Sequence, residues 1–370
     1  MTLVLNRRAA LGSALAFGAV GMLPGLAFAA APTARRFVFI IQRGAADGLS
    51  IVAPTGDPAL AGLRGGLTEP GGTRLDAMFT LHPALAGIAP LFARGQARAF
   101  HAVASAYRDR SHFDGQNVLE SGGALPYALK TGWMGRLLGL LPAAQTSALA
   151  LAPAVPLALR GALPVATYAP NALPAASDDL LRRVTMLYEP DAQLGPLWTE
   201  ALKTKALTGD IGGNNGRNGA QLGALAATLM TPADDARLMM IETGGWDTHT
   251  AQKQRLAAQL RGLDALIGGL KTGLGPAWSE TLVLVATEFG RTAAVNGTGG
   301  TDHGTASAAL LLGGALAAGP PVVAQWPGLS AAELYDGRDL KPTQGPGDIV
   351  SAALAHHYAL PSERLAGLFA

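Results

Sequence analysis

Five short runs of aliphatic and β-branched residues constrain this chain most. They are Arg36–Gln42, Ala97–Ala104, Arg237–Glu242, Thr281–Thr287 and Ala308–Gly313. Each is bounded by polar or glycine-rich punctuation, and none alternates cleanly between apolar and polar residues, so each reads as a strand buried on both faces. Helical patterns separate them at Pro83–Arg94, Gln254–Leu270 and Asp348–Tyr358. Strand and helix in alternation predict an α/β fold, with a mixed, mostly parallel sheet covered by helices on both faces.

A long excursion, from Arg110 to Asp235, separates the second strand from the third. It has a Pro- and Ala-rich middle (Leu151–Ala176), a helical stretch (Asp178 to Lys205) and a glycine- and asparagine-rich loop (Gly209–Gly219). It is too long for a simple crossover, so a cap-like insertion at about 115–235 is expected, with plain structural elaboration as the alternative.

The first residues follow another logic. Asn6-Arg7-Arg8 leads into a small, apolar run closing on Ala27-Phe28-Ala29. A charged start, an apolar middle and a small-x-small exit describe a twin-arginine export signal over residues 1–29, with cleavage after Ala29. The mature chain, residues 30–370, is then expected in the periplasm or outside the cell, with the twin-arginine export machinery as a partner. Pro24 and the many Gly and Ala residues make the run a poor membrane span, so no stable span is expected after cleavage.

The whole chain carries 28 Lys and Arg against 26 Asp and Glu, and removing Arg7 and Arg8 leaves 26 of each. No net field remains to attract nucleic acid. With no cysteine in the chain, thiolate zinc sites and cysteine nucleophiles are excluded.

Chemistry-bearing residues gather just after the strands. The first strand runs into Arg43-Gly44-Ala45-Ala46-Asp47-Gly48, the third into Glu242 through Asp247-Thr248-His249, and the fourth into Glu288-Phe289-Gly290-Arg291. Arg108 through Asp114 follows the second strand, and Thr301-Asp302-His303-Gly304 precedes the last. Ligands of open α/β sheets collect at the carboxyl ends of strands. Carboxylates and imidazoles drawn there from distant parts of the chain suit a divalent ion such as zinc, manganese, magnesium or calcium. Bland roles compete: Asp47-Gly48 as a turn, Asp302-His303 as a helix cap, Glu242 and Glu288 in buried ion pairs with Arg43 or Arg291, and Ser111 with Asp114 as a capping box. His82, His101, His356 and His357 have no acidic cluster around them and read as structural or surface residues.

These motifs resemble the metal motifs of the alkaline phosphatase and sulfatase superfamily. More closely, Arg43-Gly-Ala-Ala-Asp-Gly-Leu, Ser111-His-Phe-Asp, Gly245-Trp-Asp-Thr-His, Glu288-Phe-Gly-Arg-Thr and Trp326-Pro-Gly-Leu, with the twin-arginine start, resemble the exported domain-of-unknown-function family 1501. The resemblance implies an alkaline-phosphatase-like fold and an exported metal-dependent hydrolase of a small-molecule or polymer ester of phosphate or sulfate type. It implies Asp47, Glu242, Asp247, His249, Glu288, Asp302 and His303 as metal ligands, Ser111 as nucleophile, and Arg43, Arg110, His112 and Arg291 as substrate contacts.

Two departures stand out. Glu288-Phe289 replaces the Asp-His that usually ends the fourth core strand, which depletes or rebuilds a second metal site. Neither Ser105-Ala-Tyr-Arg nor Ser111-His-Phe-Asp matches the sulfatase signature. A non-catalytic exported binding or assembly protein is therefore the rival reading, and a mutase or phosphodiesterase on the same fold a third.

Overall fold

The computed structural model describes residues 35–142, 147–169, 178–196, 198–199, 202, 218–231 and 236–369. The expected signal at 1–29 and the loop at 209–217 lie outside the described residues. The strands are β1 (Arg36–Gln42), β2 (Val52–Ala53), β3 (Thr73–Arg74), β4 (Thr80–Leu81), β5 (Ala97–Val103), β6 (Ala148–Leu151), β7 (Ala166–Thr167), β8 (Leu238–Thr243), β9 (Thr281–Ala286), β10 (Ser307–Leu312) and β11 (Val322–Val323). Eight of them form one sheet in the order β11-β5-β10-β9-β1-β8-β6-β7, and β2, β4 and β3 form a small antiparallel one. In the large sheet β10 alone runs against its neighbours, β5 and β9. The other described pairings are parallel.

The unbroken apolar strands reflect a sheet packed on both faces. Val38, Ile40, Met239, Ile241, Val283 and Val285 belong to one core, with leucines of the helix Gln252–Leu274 and residues of the helix Gly219–Met230. Their alternates Phe37, Phe39, Ile41, Met240, Leu282 and Leu284 belong to the other, with the helices Trp133–Leu138 and Pro346–Tyr358. The fold class predicted from the sequence is therefore the one observed.

Two elements differ from the sequence reading. The excursion gives β6 and β7 to the sheet, β6 pairing with β8, so this part of it extends the core instead of capping it. In Pro83–Arg94 the regular helix is only Ala89–Ala93. There, the amides of Gly87 and Ile88 donate to the Asp264 carboxylate at 2.9 and 2.7 Å, which diverts them from the hydrogen-bond ladder of a helix.

Strand direction places the site. β1, β5, β8 and β9 end at one edge, and antiparallel β10 begins there, so the residues before it reach the edge that the others run into.

Candidate metal centre

Three imidazoles converge on one carboxylate at this edge. His112 opens the helix His112–Ser121 beyond β5, Asp247 and His249 follow β8, and His303 precedes β10. One donor atom each from His112, Asp247 and His303 lie within 4.8 Å of one another. His249 Nε2 is 3.0 Å from both His303 Nε2 and Asp247 Oδ1, and His303 Nε2 is 3.4 Å from that same oxygen. His112 Nε2 approaches Asp247 Oδ2 at 3.6 Å.

The opposite nitrogen of each ring is held by an oxygen. His112 Nδ1 is 2.8 Å from Glu288 Oε1, His249 Nδ1 is 3.0 Å from Asp302 Oδ1, and His303 Nδ1 is 2.9 Å from the Arg110 carbonyl. Such partners fix the tautomer with the proton on Nδ1 and turn the Nε2 lone pair toward Asp247. Lone pairs crowded together repel unless a cation sits among them; the Arg291 guanidinium reaches Asp247 Oδ1 at 2.6 Å and His249 Nε2 at 3.5 Å, but His112 Nε2 is buried without any hydrogen-bond partner. The spacings of 3.4 Å between His303 and Asp247 and 3.6 Å between His112 and Asp247 are those around an ion with bonds of about 2.0–2.2 Å. By these tests the residues fit a divalent ion, which His112, Asp247 and His303 would hold, with His249 Nε2 beside Asp247 and His303.

The backbone is bent to make this possible. Gly300 tucks its loop against the ligand loop: a Cβ there would stand 2.2 Å from the His249 carbonyl oxygen. Arg110 takes the left-handed conformation, φ 59°, a costly state for a non-glycine residue. Its guanidinium donates twice to Asp339 Oδ2, at 3.0 and 2.7 Å, which anchors the residue whose carbonyl holds His303.

The charges follow from the contacts. The hydrogen bond to Glu288 raises His112 above the usual imidazole range, and burial lowers His303. Burial alone would raise Asp247 and Glu288, but Arg291 beside the first and His112 beside the second more than offset it, leaving both carboxyls low.

The remaining predicted residues are placed as follows. Asp247, His249 and His303 reach the cluster. His112, predicted to touch substrate, points into it as well. Asp302 and Glu288, predicted as direct ligands, stand one bond further out as partners of His249 and His112. Glu288 is saturated by the Gly44 amide, Gln116 and Thr287 in addition. Glu242 is not brought to the cluster: it pairs with Arg43 at 2.7 Å, and Arg43 also meets Glu120 at 2.8 Å. Asp47 is fully buried and held by Arg64, Ser50 and Gln252. Arg291 donates to Asp247 Oδ1 at 2.6 Å, and Arg110 is committed to Asp339. Ser111 immediately precedes His112, and its hydroxyl makes no capping bond to the helix. Phe289 packs its ring 5.1 Å from that of His112 and 5.4 Å from that of His303, an apolar wall in the position where the superfamily pattern has an imidazole.

Sequence reasoning missed Arg64 and Gln252. Gln252 Nε2 donates to Asp47, while its Oε1 accepts from Thr248 and Thr301 at 3.1 and 2.6 Å. This buried network ties the end of β1 to both loops that carry ligands. Nothing in the local sequence around either residue marks it, because the partners are distant in the chain.

The family profile described as "Protein of unknown function (DUF1501)" matches residues 103–343. No curated protein matches the sequence. Among solved structures, the chain is similar to alkaline phosphatase from the Antarctic bacterium TAB5, at 11% identity and a TM-score of 0.38, over 79% of this chain and 95% of that one. It is also similar to a protein in the alkaline phosphatase superfamily from Vibrio parahaemolyticus, at 10% identity and a TM-score of 0.37, over 84% and 69% of the two chains. A third is the phosphonate monoester hydrolase of Agrobacterium radiobacter, at 10% identity and a TM-score of 0.29, over 75% and 68%.

Proposed function

This chain belongs to the DUF1501 family, and from that premise we propose that it is an exported, metal-dependent hydrolase of a phosphate- or sulfate-type ester. The observation that carries the reading is the set of three imidazoles, each anchored through Nδ1 and turned through Nε2 toward Asp247. A divalent ion held there supplies Lewis-acid charge for the oxygens of a transferred phosphoryl or sulfuryl group. Arg291 balances Asp247 and fixes its carboxylate, Glu288 and Asp302 fix the rings, and Phe289 keeps water from one side of them. Ser111, next to His112 in the chain and free of a capping role, is the proposed nucleophile.

The test is metal analysis of the purified mature protein followed by a panel of phosphate and sulfate esters, with Asp247→Asn and Ser111→Ala. Asp247→Asn should lose both metal and turnover, and Ser111→Ala should lose turnover while keeping metal. Natively folded protein that takes up no divalent ion and turns over no ester would end the proposal.

A second reading, an exported binding or assembly protein on a degenerate site, is favoured by the commitment of Asp47 to Arg64 and by Phe289. It predicts metal binding without turnover of any ester. Export itself rests on the signal-like residues 1–29.

A further inference from the structure

Beside the cluster lies an open groove of about 640 Å³, within the range of ligand pockets. Phe113, Gln116 and Glu120 line it from one stripe of the helix that carries His112. Gln116 donates at 3.0 Å to Glu288 Oε1, the atom that holds His112, so the groove starts one hydrogen bond from a candidate ligand's anchor.

Two aromatic rings lie open in it. Phe113 is 80% exposed and Tyr127 is 54% exposed. An isolated exposed apolar side chain needs no explanation, but two rings bordering one groove beside a candidate metal centre form a surface a ligand can cover. Tyr127 is also held in the left-handed region, φ 61°, while its amide donates to Asn117 Oδ1 at 2.7 Å. That strain persists because neighbouring groups hold it, and it sets the direction in which the Tyr127 side chain leaves the backbone.

Charge narrows the occupant. Arg43 is neutralised by Glu120 and Glu242. The groove's other cations are Lys130 and Arg160, both exposed and neither in an ion pair among the described residues. Aliphatic Leu129, Val155 and Leu157 share the lining with the polar Gln116 and Asn117.

We infer that this groove seats the alcohol portion of the ester, and that this portion is a large, apolar ring system carrying an acidic substituent. The inference rests on the hydrolase reading for the word ester, but the groove can be tested without turnover. The probe is 6-hydroxy-2-naphthoate, a ring alcohol with one carboxylate, titrated into the mature protein and followed by its fluorescence.

Saturable binding is expected, weakened about tenfold or more by Phe113→Ser, which leaves the thermal unfolding temperature unchanged because the ring is exposed. The double variant Lys130→Ala, Arg160→Ala should weaken 6-hydroxy-2-naphthoate but leave 2-naphthol unaffected. No binding at millimolar probe, equal affinity in Phe113→Ser, or preferential binding of a neutral sugar such as maltotriose would overturn the inference. Probe binding in a protein that hydrolyses no ester would remove the hydrolase reading and leave the groove as a binding site for such a molecule.

Discussion

Replacing Arg64 by Met tests the physical basis of the first-strand end. Arg64 and Asp47 are both fully buried; the guanidinium bonds to both carboxylate oxygens and donates to the Thr292 carbonyl at 2.8 Å. Removing it strands a buried carboxylate with only Ser50 and Gln252 as partners. Breaking such a pair costs about 3–5 kcal/mol, whereas exchanging both partners for apolar residues is far cheaper. With a denaturant slope of about 3 kcal/mol/M in urea, the midpoint should fall by about 1 M or more.

The double variant Arg64→Met, Asp47→Leu should recover part of this loss. Burial alone would raise Asp47, but Arg64 more than offsets it, so its folded pKa lies below the ordinary carboxylate value. The pair's contribution is therefore present above about pH 4 and lost as pH falls through the lower folded pKa, so wild type and Arg64→Met should converge in acid. Urea unfolding at pH 7 and pH 3, followed by circular dichroism, reads all of this. A midpoint shift under about 0.3 M at pH 7, or a double variant no more stable than Arg64→Met, would show that the buried pair does not hold the end of the first strand.

Three further outcomes are expected. Glu288→Gln, which disturbs the partner of His112 Nδ1, should weaken metal binding about 10–100-fold in a competition titration with the fold intact; unchanged affinity would remove Glu288 from the site. Burial lowers His101 to about 4 and His357 to about 3, so below about pH 6.5 each is neutral when folded and gains a proton on unfolding. Stability should then decline as pH drops from about 6.5 toward 4, by on the order of 3 kcal/mol for His101, and His101→Gln should flatten a pH series of melting temperatures. Exchanging Arg7 and Arg8 for Lys should hold the full-length chain in the cytoplasm in a cell-fractionation assay, and continued export would dismiss the twin-arginine signal.

The buried strands were legible because two-sided burial writes itself as continuous aliphatic sequence: β1 has its predicted bounds, and β9 and β10 differ by one residue. β6, four residues in an Ala- and Pro-rich stretch, carries too little pattern to be read locally. At the site, residue type and position at strand ends marked the clusters that hold Asp247, His249 and His303, and the family resemblance singled these residues out together with Asp47, Glu242, Glu288 and Asp302. What sequence could not tell was which acids face the cluster and which hold its rings, since Asp302 and Glu288 differ from Asp247 only in orientation. Asp47 shows the limit most clearly: its partner Arg64 is 17 residues away on a helix without any motif.

If His112, Asp247 and His303, with His249 beside them, form a metal centre, the ion and its ligands can be observed directly. X-ray absorption spectroscopy of zinc-loaded mature protein tests it most directly when paired with a metal count. One tightly bound ion per chain is expected, with histidine nitrogens in its first shell, one of which is lost in His112→Ala. Failure to retain any ion, or a shell of oxygens without imidazole scattering, would contradict it.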